Sequence, residues 1–245
     1  MYRIGIDVGS AYTKYCVMKD GEIVTLFSEK TPIRQRVYFE EKVKELHSLY
    51  PDAEIVSCGY GKANVDGIHN INELTALAKG VFYTTGENGI VLDIGGQDTK
   101  IIVQEDGQLK EFFVNDKCAA GSGMFLSSVL EMINVRFDDI DLSKRRCSNT
   151  CLSTTCAVFA QSEIVELIAD NKDEEEILSA VISQILIKAK PLIRKVYEGN
   201  IIFSGGISQI KGIEDMVEEV LSVKCIKLGN SNYLSAIGCA TVSSI

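Results

Sequence analysis

The 245-residue sequence has little of several features, and each shortage excludes a class of protein. No apolar run approaches the roughly 18 residues of a transmembrane helix, so we expect no membrane span. Acidic residues outnumber basic ones, 34 to 25, and a net charge of −9 repels nucleic-acid backbones, so we expect no nucleic-acid partner. The opening MYRIGIDVGS carries charges within its apolar run, which is typical of a strand rather than a signal peptide, and we expect a cytoplasmic protein.

Several signature motifs are missing as well. Neither GxxxxGK followed by Ser or Thr nor GxGxxG occurs, so P-loop and Rossmann nucleotide sites are not supported. No Ser/His/Asp set suggests hydrolysis of an acyl group. The two histidines, His47 and His69, have no partner at catalytic spacing, and we interpret both as surface residues. Tryptophan is absent, which carries no functional information.

Cysteine, in contrast, is abundant, with eight residues. In a reducing cytoplasm these are better interpreted as metal ligands or small buried residues than as disulfides. Four of them lie in apolar surroundings and are predicted to belong to the core: Cys16, Cys58, Cys225 and Cys239.

Hydrophobic periodicity predicts alternating strands and helices. The predicted strands are RIGID, TKYCVMKDG, EIVTLFSEK, EIVSC, NGIVLDIGG, DTKIIVQEDG, QLKEFFV and IIFSGGIS, with a tight turn at Asp20-Gly21. The predicted helices are FEEKVKELHSLY, INELTALAKGVFY, the end of NDKCAAGSGMFLSSVLEMI, AVFAQSEIVELIAD, GIEDMVEEVLSV and NYLSAIGCATVSS. The clearest helix is DEEEILSAVISQILIKAKPLIRKVY, which starts in an acidic turn at 173–176, and Pro191 is expected to kink its last third.

One short pattern occurs twice in the chain. IDVGSAYTK at 6–14 and LDIGGQDTK at 92–100 share aspartate, glycine, a small residue, threonine and lysine at matching places. One copy would be explained by an ordinary β-turn. Two copies indicate that the same supersecondary unit was built twice.

A third strand ends similarly, in Ser204-Gly205-Gly206. Glycine lets backbone amides approach a phosphate, and a carboxylate at a strand end can hold Mg²⁺. Thr13 and Lys14 add a hydroxyl and a positive charge. The alternative is three hairpin turns with charged caps, but three such strand ends in one chain favour a nucleotide site.

These motifs resemble the phosphate-1, phosphate-2 and adenosine motifs of the actin, sugar-kinase and heat-shock-chaperone ATPase superfamily. The resemblance implies an α/β fold of two duplicated lobes, actin/hexokinase-like, with ATP in the cleft between them and lobe rotation on hydrolysis. We expect the first lobe at 1–85, completed by about 226–245, and the second at 86–225.

The resemblance also implies a set of site residues by position in these motifs. Cofactor-binding residues would be Ser10, Ala11, Tyr12, Thr13, Lys14, Gly95, Gly96, Gly205, Gly206 and Ala236. Catalytic residues would be Asp7, Asp93 and Gln97, of which the two aspartates would hold Mg²⁺ or orient water.

Two cysteines lie where the sequence predicts helix N-termini. These are Cys118 in NDKCAAGSGMFL and Cys156 in STTCAVFAQSE. The positive end of a helix stabilises a thiolate or an anionic cluster. Two ligands are too few for a four-thiolate site, but a twofold dimer would bring four together around one 4Fe–4S cluster. The alternative for each cysteine alone is a small buried residue. The flanking glycines, the polar approach NDK and the loss of apolar periodicity before Cys156 argue against it.

Together with DIGGQD, CGYG and DVGS, these two segments resemble the activator ATPases of 2-hydroxyacyl-CoA dehydratases. That family includes ATPase subunits of benzoyl-CoA reductases and reductases of double-cubane cluster proteins, and the resemblance covers nearly the whole chain. It implies a homodimer with one 4Fe–4S cluster held by Cys118 and Cys156 of both subunits. It also implies ATP-driven, low-potential, single-electron transfer to a partner iron–sulfur enzyme, with ferredoxin or flavodoxin as the electron donor.

Two features depart from that pattern. Cys147 and Cys151 precede Cys156 and are open to three interpretations: spare ligands, ligands of a second metal, or exposed loop thiols. The basic triplet at 144–146 is either a solvated turn or part of a docking face for an acidic partner.

Two other functions remain open from the sequence. A small-molecule kinase of the same fold would use Asp93 as a base on a sugar hydroxyl, and its cysteines would be incidental. A non-catalytic nucleotide sensor would bind ATP without turnover and without a cluster.

Overall fold

The computed structural model describes residues 1–66, 68–144, 150–153, 156–195 and 199–242. The chain forms two compact units. The first unit comprises Met1–Gly89, Ile102–Phe112 and Asn232–Ile245, and the second comprises Ile90–Ile101 and Phe113–Ser231. Across the described residues, no helix is long and apolar enough to cross a membrane.

The first five-stranded sheet has the order β3-β2-β1-β4-β5. Its strands are β1 (Tyr2–Val8), β2 (Tyr12–Lys19), β3 (Glu22–Lys30), β4 (Glu54–Cys58) and β5 (His69–Asn70). β1 pairs with β2 in antiparallel register, with Asp7 opposite Lys14, and with β4 in parallel register. The predicted hairpin turn is confirmed: Asp20 and Gly21 have φ angles of 52° and 90°, as a type I′ turn requires.

Three helices belong to the first unit, namely α1 (Gln35–Leu49), α2 (Glu73–Thr85) and α7 (Leu234–Thr241). α7 packs against β1 and α2 through glycines. A Cβ on Gly5 would overlap the carbonyl oxygen of Ala236, and a Cβ on Gly80 would overlap that of Leu234. A Cβ on Gly238 would overlap the carbonyl oxygen of Ala76 in the same way. Backbone therefore lies directly on backbone where these elements meet.

The second five-stranded sheet has the order β10-β9-β6-β7-β8. Its strands are β6 (Gly89–Ile94), β7 (Thr99–Glu105), β8 (Gln108–Asn115), β9 (Asn200–Gly205) and β10 (Lys224–Lys227). β9 is parallel to both β6 and β10. The short edge strand β10 was not predicted from the sequence. Cys225 lies on it and is half-buried, so its assignment to the core was wrong, whereas Cys16, Cys58 and Cys239 are fully buried as predicted.

The remaining helices are α3 (Gly123–Ile133), α4 (Ala157–Ala169), α5 (Glu174–Ile193) and α6 (Ile213–Leu221). The longest, α5, starts as its acidic turn predicts, with the Asp173 side chain accepting a 2.8 Å hydrogen bond from the backbone N–H of Glu176. Pro191 lies inside its last turn. Both His47 and His69 are exposed, as predicted.

Candidate nucleotide-binding turns and cysteine loop

The first candidate phosphate turn connects β1 to β2. The carboxylate of Asp7 is buried and lies 3.3 Å from Nζ of Lys14, its partner across the strand pair. The turn residues Ala11 and Tyr12 are exposed, and Ser10 is half-exposed. A carboxylate–ammonium pair therefore lies directly behind an accessible turn whose amides can face an anion.

Thr13 is fully buried and secures this turn from within. Its hydroxyl lies 3.0 Å from that of Thr31, which in turn donates a 2.8 Å hydrogen bond to the carbonyl of Gly9. Thr13 therefore supports the turn rather than presenting its hydroxyl to solvent. No short motif predicted the role of Thr31, because this contact joins β2 to the residue that follows β3, 18 positions along the chain.

The glycine loop after β4 closes against the other side of Asp7. A Cβ on Gly59, whose φ is 90°, would lie 2.7 Å from Oδ1 of Asp7. The thiol of Cys58 also lies 3.8 Å from that oxygen and donates to it. Burial raises the pKa of the Cys58 thiol well above its ordinary value, so the thiol stays neutral and remains a donor.

The second candidate phosphate turn connects β6 to β7 and carries a denser cluster of charge. Nζ of Lys100 lies 2.8 Å from Oδ1 of Asp98 and 3.4 Å from Oδ2 of Asp93. All three side chains are buried, whereas the equivalent Lys14 is 19% exposed. Gln97 is exposed and Gly95 and Gly96 are half-exposed. The two copies of the motif therefore share the lysine–aspartate pair but differ in burial and in the number of carboxylates.

The third glycine turn follows β9. Gly205 has φ 92° and ψ 178°, a conformation open essentially to glycine alone, and a Cβ there would overlap the carbonyl oxygen of Ile94. Gly206 is exposed, with no atom within 4 Å of an added Cβ. Ser204 donates a 2.8 Å hydrogen bond to the carbonyl of Ser231. Ala236 is fully buried in α7.

The cysteine loop lies between β8 and α3, and it departs from the sequence prediction. Cys118 caps a 3₁₀ turn, Ala119–Gly121, while α3 itself starts at Gly123 with Ser122 as its N-cap. The prediction that Cys118 lies at the N-terminus of a helix was therefore wrong, since a three-residue turn carries little dipole. The glycines and serine of CAAGSG end the turn before the helix begins. Cys118 is half-buried.

Cys156 does occupy the predicted position, as the N-cap residue of the 13-residue α4. It is exposed, and so is Cys151. Cys147 and two residues of the basic triplet, Arg145 and Arg146, lie outside the described residues. Within the described ranges, no group of three His, Cys, Asp or Glu side chains is arranged to hold a metal ion.

Helix α4 also exposes an unusual amount of apolar surface. Only two of its residues, Ala160 and Ile164, are buried. Four large apolar side chains of this helix are between 42% and 69% exposed: Val158, Phe159, Val165 and Ile168. We call these four residues the α4 apolar face. Exposed apolar patches are a common feature of protein–protein interaction surfaces.

The second phosphate turn and the start of α3 are joined directly. The carbonyl of Gly95 accepts a 2.9 Å hydrogen bond from the N–H of Gly123, and that of Gly96 accepts one of 2.9 Å from Met124. Two N–H groups of the first turn of α3 are thus bonded to the glycine pair. The sequence predicted that both segments belong to the second lobe, but no motif predicted a contact between them.

Comparison with known proteins shows which proteins the chain resembles. Residues 4–243 match the BadF/BadG/BcrA/BcrD ATPase family. The chain is similar to an uncharacterised protein of Methanocaldococcus jannaschii, with 35% identity covering 98% of this chain and 99% of that protein. It is also similar to the activator of lactoyl-CoA dehydratase from Anaerotignum propionicum, with 31% identity covering 98% and 96%.

Among solved structures, the fold is similar to the activator of 2-hydroxyisocaproyl-CoA dehydratase from Clostridium difficile with bound ADPNP. The TM-score is 0.88 at 28% identity, covering 98% of this chain and 93% of that one. The predicted fold class, an actin/hexokinase-like α/β fold, is confirmed.

Proposed function

Because the chain belongs to the BadF/BadG/BcrA/BcrD ATPase family, we propose that it is an ATP-dependent activator of a partner iron–sulfur enzyme. In this proposal, ATP hydrolysis drives single electrons at low potential from a ferredoxin or flavodoxin to the partner. The partner is a 2-hydroxyacyl-CoA dehydratase, a benzoyl-CoA reductase or a double-cubane cluster protein. The similarity to named dehydratase activators supports the first of these classes.

One observation carries this proposal beyond membership of an ATPase family. The Gly95–Gly96 turn is hydrogen-bonded to Gly123 and Met124, five and six residues after Cys118, so a phosphate-type turn contacts the segment that follows a half-buried thiol. A sugar kinase requires the turn but has no use for the thiol. An activator requires both, because nucleotide state must affect electron transfer.

In this proposal, the two candidate phosphate turns contribute carboxylates and amides to the binding of Mg²⁺–ATP. Asp7 and Asp93 offer carboxylate oxygens, which are the ligands that Mg²⁺ prefers. Bound there, Mg²⁺ would offset phosphate charge. In the proposal, phosphate oxygens bind at the turns 9–11 and Gly95–Gly96, and Lys14 adds positive charge to the first turn. The N–H of Gly95 itself donates a 2.9 Å hydrogen bond to the carbonyl of Asp98.

The thiols fit a cluster that is shared between two subunits. Cys156 is exposed and Cys118 is half-buried, so both are accessible. In the proposal each subunit contributes two thiols, and a twofold dimer brings the four together. A 4Fe–4S cluster held by Cys118 and Cys156 of both subunits would supply the single-electron chemistry.

The α4 apolar face supports the homodimer. It begins at Val158, two residues after Cys156, and continues along the helix to Ile168. If Cys156 of two subunits ligate one cluster, the two α4 helices start next to each other, and their apolar side chains have a second copy to cover them. We therefore assign the second copy of this chain as the occupant of this face.

Iron analysis tests the proposal. We would measure iron, acid-labile sulfide and the visible spectrum of protein purified without oxygen, beside the Cys118→Ala and Cys156→Ala variants. Cys151→Ala is the matched control, because it removes an exposed thiol from the same stretch of chain. The proposal predicts about four irons per dimer in the wild type and the control, and loss of iron in both other variants.

Other results would contradict it. A dimer that binds ATP but takes up no iron on reconstitution would favour the kinase instead. Iron that survives both substitutions would show that other cysteines bind it, and the assignment of Cys118 and Cys156 would be wrong.

A further inference from the structure

Thr99 provides a side-chain link between the second phosphate turn and the cysteine loop. It is fully buried at the first position of β7, and its hydroxyl donates a hydrogen bond to the carbonyl of Gly121. Gly121 in turn donates a 3.2 Å backbone hydrogen bond to the carbonyl of Cys118. Two consecutive hydrogen bonds therefore connect the strand that leaves the phosphate turn with the cysteine.

The loop has little freedom to move independently of this link. A Cβ on Gly121 would lie 2.9 Å from Cβ of Lys188 on α5, and a Cβ on Gly123 would lie 3.1 Å from the carbonyl oxygen of Gly95. The loop is thus packed between α5 and the glycine turn. Because packed elements shift together, displacement of the turn displaces the residues that carry Cys118.

The first copy of the motif uses the same position differently. Thr13 matches Thr99 in the duplicated pattern, yet its hydroxyl lies against Thr31, which secures the turn of its own hairpin. Of the two copies of the motif, only the second therefore has a hydrogen bond from this threonine to the cysteine loop.

We propose that Thr99 is the positioning residue through which nucleotide bound at the Gly95–Gly96 turn alters the exposure of Cys118. The inference rests on the proposed function, since it takes this turn as a phosphate site. Nucleotide binds at the turn and shifts it. The hydroxyl of Thr99 carries the shift to Gly121 in the 3₁₀ turn after Cys118, while the carbonyls of Gly95 and Gly96 contact only Gly123 and Met124 at the start of α3.

The test measures thiol accessibility in the full chain freed of iron and kept reduced. Alkylation of Cys118 by iodoacetamide is followed by peptide mass spectrometry without nucleotide, with Mg²⁺–ADP and with Mg²⁺–ADPNP. Cys151, which is exposed, provides the internal reference rate. Calorimetry on the same samples gives the nucleotide Kd, so that nucleotide binding and its coupling to Cys118 are read separately.

Three variants distinguish the loss of the Thr99 hydrogen bond from a general loss of stability. Thr99→Val keeps the shape of the side chain and removes the hydroxyl, and Thr99→Ser restores the hydroxyl. Thr84→Val is the control, because Thr84 makes a comparable 2.7 Å hydroxyl-to-carbonyl bond, to Gly80 in α2. We expect nucleotide to change the Cys118 rate about fivefold or more in the wild type, Thr99→Ser and Thr84→Val. In Thr99→Val that ratio falls to about one while nucleotide still binds.

Two results would overturn the inference while leaving nucleotide binding established. One is a Cys118 rate that nucleotide does not change in the wild type despite measured binding. The other is a nucleotide response in Thr99→Val as large as in the wild type. Failure of the wild type to bind nucleotide at all would instead overturn the proposed function, and the coupling with it.

Discussion

The ammonium of Lys100 lies 2.8 Å from Oδ1 of Asp98, and the two side chains are only 5% and 6% exposed. Asp93 shares the same ammonium at 3.4 Å. Lys100→Met leaves two buried carboxylates without this cation, and we expect it to lower the free energy of unfolding by about 3–5 kcal/mol, measured by urea denaturation. Lys110→Met is the control, since Lys110 pairs with Glu105 at an exposed site and should cost under about 1 kcal/mol. Equal losses of unfolding free energy in the two variants would contradict the prediction that the buried lysine contributes more than the exposed one.

Gly205 and Gly206 are predicted to differ sharply in their tolerance of a side chain. Gly205→Ala forces a Cβ against the carbonyl of Ile94 in a backbone conformation reserved for glycine, and we expect a loss of roughly 2 kcal/mol or more. Gly206→Ala meets no neighbouring atom and should unfold at nearly the wild-type temperature. Thermal melts of the two variants decide this. Because Gly206→Ala should stay folded, its nucleotide Kd also tests the predicted adenosine contact.

The buried thiols predict a loss of stability at alkaline pH. Burial raises the pKa of Cys16 to about 12, from an ordinary value near 9. The thiol ionises first in the unfolded chain, so its contribution is complete below about pH 9 and is lost as the pH rises toward 12. Cys16→Ala should lessen the fall in unfolding free energy between pH 9 and 10.5 by up to about 1.4 kcal/mol per pH unit.

The slope, rather than the level, is the quantity to compare, because Cys16→Ala also removes a packed core atom. Urea unfolding under reductant at several pH values measures it. Cys151→Ala, which removes an exposed thiol, should follow the wild-type slope. An unchanged slope in Cys16→Ala would show that this thiol does not contribute to the pH dependence.

The α4 apolar face makes a prediction about assembly. Phe159→Asp places a charge on a surface that the proposal assigns to a second copy, so sedimentation should show at least a tenfold rise in the dimer dissociation constant. Leu49→Asp on α1 is the control, since Leu49 is similarly exposed but lies in the other unit. A Phe159→Asp protein that dimerises normally yet fails to bind its partner enzyme would show that the partner covers this face.

Much of the fold follows from periodicity in the sequence. The 20-residue α5 was predictable because its apolar residues recur at helical spacing and its start is an acidic capped turn. The β2–β3 hairpin was predictable from Asp20-Gly21 between two alternating runs. The strand β10 was missed because its four residues, alternately exposed and half-buried at a sheet edge, give too short a pattern.

The candidate site was less predictable, because its contacts join distant parts of the chain. The duplicated motif identified Asp7, Lys14 and Asp93, and these residues lie at strand ends as expected. The burial of Lys100 between two carboxylates and the bond from Thr99 to Gly121 depend on tertiary packing, which no local pattern encodes. The position of Cys118 was misjudged because helix propensity alone does not distinguish a 3₁₀ turn from the first turn of an α-helix.

The glycine contacts of α7 have a consequence for synthesis on the ribosome. The sheet around β1 is made first, but α7, which packs on β1 at Gly5 and on α2 at Gly80, is made after all the other elements of the first unit. Until Leu234–Thr241 leaves the exit tunnel, β1 and α2 lack the helix that packs on both of them, so the first unit is completed only after the second has been translated. Nascent chains stalled before Leu234 should accordingly be cut rapidly by protease within β1 and α2, and chains released at full length should resist.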